Sequence, residues 1–243
     1  MHVIKLNAID STNAYLRQLG SVEDLKDYTV ATAKFQSMGR GQMGTVWQSQ
    51  NGKNLMFSVF KNVSFLSSDN VFFLSIVTAL AITKTLKSFH IPKLKIKWPN
   101  DILSEDKKVC GVLIENVLNN NRLKGTIIGV GLNVNQTEFN NLPQASSLLA
   151  ISGKVYNLDE LLVSIITNMR HYFSLLKNEK HDILLSKYEN LLFRKDKAST
   201  FKAENGDLFT GIIEGVNQAG SLKVLLEDGI SKEFDLKQVS LLY

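Results

Sequence analysis

The sequence predicts an α+β fold in two parts, a larger unit over residues 1–194 and a small all-β unit over residues 195–243. Three observations carry this. Strand candidates in the first part are joined by short turns, which favours antiparallel pairing over a doubly wound sheet. Helical stretches with apolar periodicity stand between the strand groups, at residues 70–89, 158–176 and 181–193. Past the charged junction Arg194-Lys195-Asp196-Lys197, short strand candidates alternate with glycine turns, at the size of an SH3-like barrel. A length of 243 residues with 44% apolar side chains suits one large domain and a small appendage.

In order, residues 1–6 form a strand candidate. Asp10-Ser11-Thr12-Asn13 is a group of helix-capping residues before a helix at 14–19, with Gly20 as its stop. The group is either a plain N-cap or a helix start whose free N–H groups hold a polar ligand. Residues 28–35 alternate as a strand and run into Gln36, then Gly39-Arg40-Gly41-Gln42-Met43-Gly44-Thr45-Val46-Trp47. The glycine spacing matches the dinucleotide fingerprint, but no helical pattern follows, and there is no P-loop. Two readings stay open, a mobile glycine-rich loop beside a ligand or a flexible hairpin connection. Residues 54–61 are a further strand. Ser67-Ser68-Asp69 caps the helix at 70–89, with Phe73, Val77, Leu80, Ala81 and Leu86 on one broad face, and Ile91-Pro92 ends it.

The strand at 94–96 leads to Lys97-Trp98-Pro99-Asn100-Asp101. Proline ends the strand, and Asn100 and Asp101 supply a turn. The pentapeptide is either a solvated turn or a site, since lysine suits developing negative charge and a carboxylate can hold Mg²⁺ beside a phosphate. After a charged turn at 104–107, residues 108–115 and 123–130 form a strand pair about a hairpin at 119–121. Alternating Gly129 and Gly131 mark a close approach to the strand by something else, ligand included. Residues 143–153 hold a loop and a short helix.

Charge and composition narrow the classes. The net charge of +5 is dispersed, with no basic-aromatic stripe, which counts against a nucleic-acid-binding module. The single Cys110, between apolar neighbours, reads as a buried reduced thiol and excludes a disulfide framework. No secretory h-region opens the chain, and the apolar window at 71–82 is short of the roughly 18–20 residues that span a bilayer. The expectation is a soluble cytoplasmic protein without membrane contact. His2, His90, His171 and His181 lack metal-ligand spacing, and no nucleophile elbow is present. The chemistry left is of adenylate or phosphoryl type, with a lysine, a glycine-rich loop and Mg²⁺.

Taken together, these stretches resemble the biotin protein ligases. The likeness is carried, in family order, by Ser11-Thr12-Asn13, Gln36 with Gly39-Arg40-Gly41, Gly44 and Trp47, then Lys97-Trp98-Pro99-Asn100-Asp101, Lys108 with Gly111-Val112-Leu113-Ile114-Glu115, and Gly129, Gly131 and Asn133. The resemblance implies a class II aminoacyl-tRNA synthetase-like mixed sheet flanked by helices, followed by the SH3-like unit. It implies ATP-dependent ligation of biotin, through biotinyl-AMP, to a lysine of a biotin carrier domain such as that of acetyl-CoA carboxylase.

Residue by residue, it implies that Ser11, Thr12, Asn13, Gln36, Gly39, Arg40, Lys97, Gly111, Gly129 and Gly131 meet biotin. Arg40, Gly41, Gln42, Gly44, Trp47, Asn100, Asp101, Lys108 and Asn133 would meet ATP and the adenylate. Lys97 and Arg40 would be catalytic, and Asp101 would lie at the Mg²⁺. The chain departs from the family loop in having Gln42 and Thr45 where two arginines often stand. Repressor-type members also carry a winged helix-turn-helix of about 60–90 N-terminal residues, whereas here the first strand begins at once, so DNA is not an expected partner. Monomer and homodimer are both open. A lipoate or octanoate ligase or transferase of the same superfamily is the nearest alternative.

Overall fold

The computed structural model describes residues 1–120, 122–140 and 142–243, with Met43 described by its backbone alone. Seven strands build the main sheet: β1 (His2–Ile9), β2 (Thr29–Gln36), β3 (Leu55–Asn62), β4 (Lys95–Lys97), β5 (Asp101–Ser104), β6 (Lys107–Asn119) and β7 (Arg122–Leu132). Their order is β1-β2-β3-β7-β6-β5-β4. Only β1 and β2 run parallel, and the other neighbours are antiparallel, so the sheet is mixed as expected. β3 lies in the sheet interior, and seven of its eight residues are buried, on both faces. The two-residue turn between β5 and β6 uses Glu105 and Asp106 at φ 50° and 58°, the left-handed pair whose twist suits a tight hairpin. The expected hairpin at 119–121 falls partly on Asn121, which lies outside the described residues.

Five helices flank the sheet: α1 (Thr12–Val22), α2 (Phe73–Ser88), α3 (Leu148–Ser152), α4 (Leu158–Lys177) and α5 (His181–Glu189). The Ser11 hydroxyl caps α1 by accepting from the Ala14 N–H. Gly20 does not stop this helix, which runs on to Val22. A Cβ at Gly20 would stand 3.2 Å from the Leu25 side chain, so the small residue serves packing. Ser67-Ser68-Asp69 does not cap α2 either: it opens a separate 3₁₀ turn, Ser68–Asn70, and α2 starts at Phe73.

α2 was expected to bury one face, yet twelve of its sixteen residues are buried. It lies between the sheet and α4 with α5. Thr78, Thr83 and Thr85 survive burial there by donating their hydroxyls to carbonyls four residues back. The stretch Ser68–Ser88 is long and apolar enough to cross a membrane on length and composition, beyond the shorter window read from sequence. Its burial within the protein marks it as the central core helix.

The last unit comprises β8 (Ala198–Ala203), β9 (Leu208–Val216), β10 (Leu222–Leu226), β11 (Ser231–Phe234) and β12 (Val239–Leu241). They form one antiparallel sheet in the order β11-β10-β9-β8-β12, with β11 and β12 left as its edges. The closed barrel expected from the turn spacing is thus not formed: β12 turns back onto β8, and no pairing joins the edges among the described residues. This sheet shares the main hydrophobic core, where Phe201, Ile213 and Leu222 join Leu184, Tyr188 and Leu192. Polar ties reinforce the junction. Trp98 Nε1 donates to the Gly220 carbonyl at 2.9 Å, and the Val216 N–H donates to Glu189 Oε1 at 3.0 Å.

Candidate active site

A cavity of about 680 Å³ opens where the start of α1, the loop after β2, the β4–β5 hairpin and the middle of β6 and β7 converge. One end is neutral and hydrogen-bonded. Gln36 Oε1 accepts from the Thr12 N–H at 2.8 Å and from the Thr12 hydroxyl at 3.0 Å. Ser58, buried on β3, donates to Asn13 Oδ1 and has its hydroxyl oxygen 2.7 Å from Thr12 Oγ1. Asn13 in turn donates to Glu115 Oε2 at 2.8 Å. Its carboxamide is therefore held by protein partners, and Ser11, Thr12, Asn13 and Gln36 together border the cavity.

The loop after β2 closes on itself. The Trp47 N–H donates to the Gly39 carbonyl at 2.8 Å and the Gly41 N–H to the Thr45 carbonyl at 2.7 Å. Gly39 and Gly41 are needed for this closure, because a Cβ at either would strike the Trp47 carbonyl or the Thr45 hydroxyl. Gly44 supplies a φ of +78°. Gly39 and Gly44 do not line the cavity, whereas Arg40, Gly41, Gln42 and Trp47 do. Arg40 pairs with Glu115 Oε2 at 3.4 Å, and Arg17 of α1 takes the other oxygen at 3.2 Å.

The alternating glycines admit side chains of the protein itself. A Cβ at Gly131 would stand 2.7 Å from Trp47 Cζ2, one at Gly111 would stand 3.1 Å from Trp47 Cζ3, and one at Gly129 would collide with the Asn13 carboxamide. The indole thus lies in a slot cut into β6 and β7. Its Nε1 is buried without a partner among the described residues, a donor ready for an acceptor on a bound ligand.

The far end is cationic. Lys97 and Asp101 face each other in the β4–β5 register, and Asp101 Oδ1 pairs with Lys108 Nζ at 2.7 Å. Asp101 thereby opens β5, although it was expected within the turn. The hairpin is held from behind: Tyr188 donates to the Pro99 carbonyl at 3.3 Å and Asn100 to the Val112 carbonyl. Burial lowers the Lys97 pKa below the ordinary lysine value; Lys108 adds to this and Asp101 opposes it. Burial likewise raises the Cys110 thiol, in keeping with an inert core cysteine.

No group of three or more metal-ligating side chains occurs among the described residues. The lone Asp101 carboxylate, already paired with Lys108, does not make a resident Mg²⁺ site. It suits an ion that arrives with nucleotide phosphates. Asn133 lines the cavity while its Nδ2 donates to the Ser146 carbonyl at 3.0 Å. Nothing in the sequence marked Ser58, Arg17, Phe139, the wall at residues 142–145 or Tyr243. Glu115 stood in a quoted motif without a role.

This arrangement of a mixed sheet with a hydrogen-bonding end and a cationic end defines the class, and comparison with known proteins agrees. Residues 6–133, just over half the chain, match the biotin/lipoate A/B protein ligase family. The chain belongs to that family. It is similar to the bifunctional ligase/repressor BirA of Escherichia coli, at 29% identity over 98% of this chain and 74% of that protein. It is also similar to the biotin–[acetyl-CoA-carboxylase] ligase of Mycobacterium tuberculosis, at 32% identity over 57% of this chain and 52% of that protein. Among solved structures, the biotin protein ligase of Aquifex aeolicus in complex with biotin and ATP superposes with a TM-score of 0.84. The identity is 29%, covering 99% of this chain and 98% of that one.

Proposed function

We infer that this protein is an ATP-dependent biotin protein ligase. The observation that carries the reading is one continuous cavity with a neutral donor–acceptor end at Thr12 and Gln36 and a cationic end at Lys97 and Lys108. A ureido ring needs paired donors and acceptors without net charge, whereas a carboxylate meeting a triphosphate needs cations. The likeness to the Aquifex aeolicus protein, solved with biotin and ATP, supports the assignment of both ligands.

In the first step the biotin carboxylate oxygen attacks the α-phosphorus of MgATP. The bond to the β-phosphate oxygen breaks, and pyrophosphate leaves, giving biotinyl-AMP. Lys97 lies where negative charge builds between carboxylate and α-phosphate, with Arg40 and Lys108 adding positive potential. Asp101 and Asn100 would hold a Mg²⁺ that comes with the nucleotide, and the ion would supply neutralisation of phosphate charge there. Adenine packs against the Trp47 indole, which fills the slot at Gly131, and lies beside Asn133. In the second step the neutral ε-amine of a carrier-domain lysine attacks the anhydride carbonyl. An amide forms, AMP leaves, and the amine gives up its proton.

The loop at 39–47 holds the adenylate through Arg40 and backbone N–H groups, because Gln42 and Thr45 supply no charge. Residues 1–194 act as the catalytic domain. Residues 195–243 serve as an SH3-like module of open form. A biotin carrier domain incubated with protein, biotin and ATP gains biotin on one lysine, read by mass spectrometry. Modification without ATP, or by lipoate and not biotin, contradicts the reading.

A further inference from the structure

Lys97 is the cation on which the ligase reading turns, and a four-carbon stem does not place an ammonium by itself. Its nearest charged competitor is Asp101, directly opposite in the hairpin register. Collapse of Lys97 onto that carboxylate would join it to the existing Lys108 pair and draw it away from the reacting centre. What meets Lys97 instead is a ring. Its Nζ stands 4.6 Å from the Tyr243 ring centroid, and Tyr243 also lines the cavity.

The ring is itself fixed in place. It packs edge-on against Phe193 at 5.1 Å, and the Tyr243 carbonyl accepts from Gln144 Nε2 at 2.9 Å. The preceding residue, Leu242, donates its N–H to the Thr200 carbonyl of β8 at 3.0 Å. Next to Lys97, the Trp98 indole is hydrogen-bonded to Gly220 in the β9–β10 turn of the same C-terminal unit. The sheet thus grips the lysine's hairpin at two neighbouring residues.

Resting on the ligase reading, we propose that Tyr243 is a positioning residue for adenylation and that the C-terminal sheet is, through it, a working part of the active site. A ring face attracts an ammonium without neutralising it. A carboxylate in the same place would hold Lys97 more firmly but cancel the charge that the incoming carboxylate and phosphate require. The Tyr243 hydroxyl makes no hydrogen bond among the described residues, so the ring face does the positioning.

Tyr243→Phe and Tyr243→Leu test this in the full chain. In biotin-dependent pyrophosphate exchange, Tyr243→Leu lowers kcat about tenfold with the biotin KM within about twofold, and Tyr243→Phe restores kcat to within about twofold of wild type. A second readout needs no ligase activity: acetylation of the ligand-free protein, mapped by mass spectrometry. Lys97 acetylates several-fold faster in Tyr243→Leu but not in Tyr243→Phe. Exposed Lys5 and buried Lys61, with side chains 62% and 11% exposed, stay unchanged. Wild type inactive in exchange would remove the ligase reading, while the acetylation arm still decides whether the ring covers Lys97. Tyr243→Leu matching wild type in kcat or in Lys97 acetylation overturns the proposal. So does Tyr243→Phe as impaired as Tyr243→Leu, or a rise at Lys61 parallel to Lys97, which would mean general loosening.

Discussion

Lys97, Asp101 and Lys108 place two cations and one carboxylate at the same end of the cavity, and the three do not cancel because Asp101 is taken by Lys108. Lys97 is left charged and partly desolvated. Its replacement by alanine lowers biotin-dependent pyrophosphate exchange about 10²–10³-fold while the fold survives, as loss of one preorganised donor does; near-normal exchange would take Lys97 out of the reaction. The pH dependence follows from the same burial. The protonated ammonium is the working form and its pKa in the folded chain is lowered. Adenylation is therefore present below that pKa and lost as pH rises through it. The alkaline limb of kcat/KM for biotin, which reports the free protein, falls below the ordinary lysine range; a limb at or above that range would contradict this. Lys97, Arg40 and Trp47 stood out in the sequence by type and motif, and all three line the cavity. Ser58 and Glu115 did not stand out in this way, since a residue that orients another side chain has no signature apart from the fold that brings the two together.

β6 and β7 show how much an element's pattern reveals and where it stops. Glycines at 129 and 131 indicated a close approach, and the structure has one at each, but by Asn13 and Trp47. Period-two alternation marks which face is approached; it carries no information about which distant loop supplies the partner. The two positions separate functionally. Gly131→Ala pushes the indole out of its slot and raises the KM for ATP more than that for biotin. Gly129→Ala displaces a buried carboxamide held by Ser58 and Glu115, costing about 1–3 kcal/mol of stability as overpacking does, and weakens biotin more than ATP. Isothermal titration with each ligand checks the split, and equal losses at both positions would show that the cavity is not divided in this way. The helices repeat the lesson. α4 was readable from its local apolar periodicity, whereas the start of α2 and its burial on nearly all sides depend on α4 and α5 packing over it.

For the whole molecule, the change of pattern near residue 195 is followed by a second sheet from Ala198 on, but the closeness of the two sheets left no mark in the sequence. The C-terminal sheet lies far along the chain from the site motifs, yet Tyr243 lines the cavity and Gly220 receives the Trp98 indole. No sequence rule links residues this far apart, because only docking through Leu192, Phe201 and Ile213 brings them together. A chain ending at Phe193 accordingly loses adenylate formation along with carrier modification, and exposes core surface. Retention of wild-type pyrophosphate exchange by such a chain would show that the sheet serves the carrier step alone. The central claim, that the cavity activates biotin with ATP, is tested most directly by exchange of labelled pyrophosphate into ATP with biotin, lipoate and octanoate in parallel. Exchange that depends on biotin, with little from the other two acids, is the predicted result; exchange driven by lipoate or octanoate, or none with biotin, would contradict it.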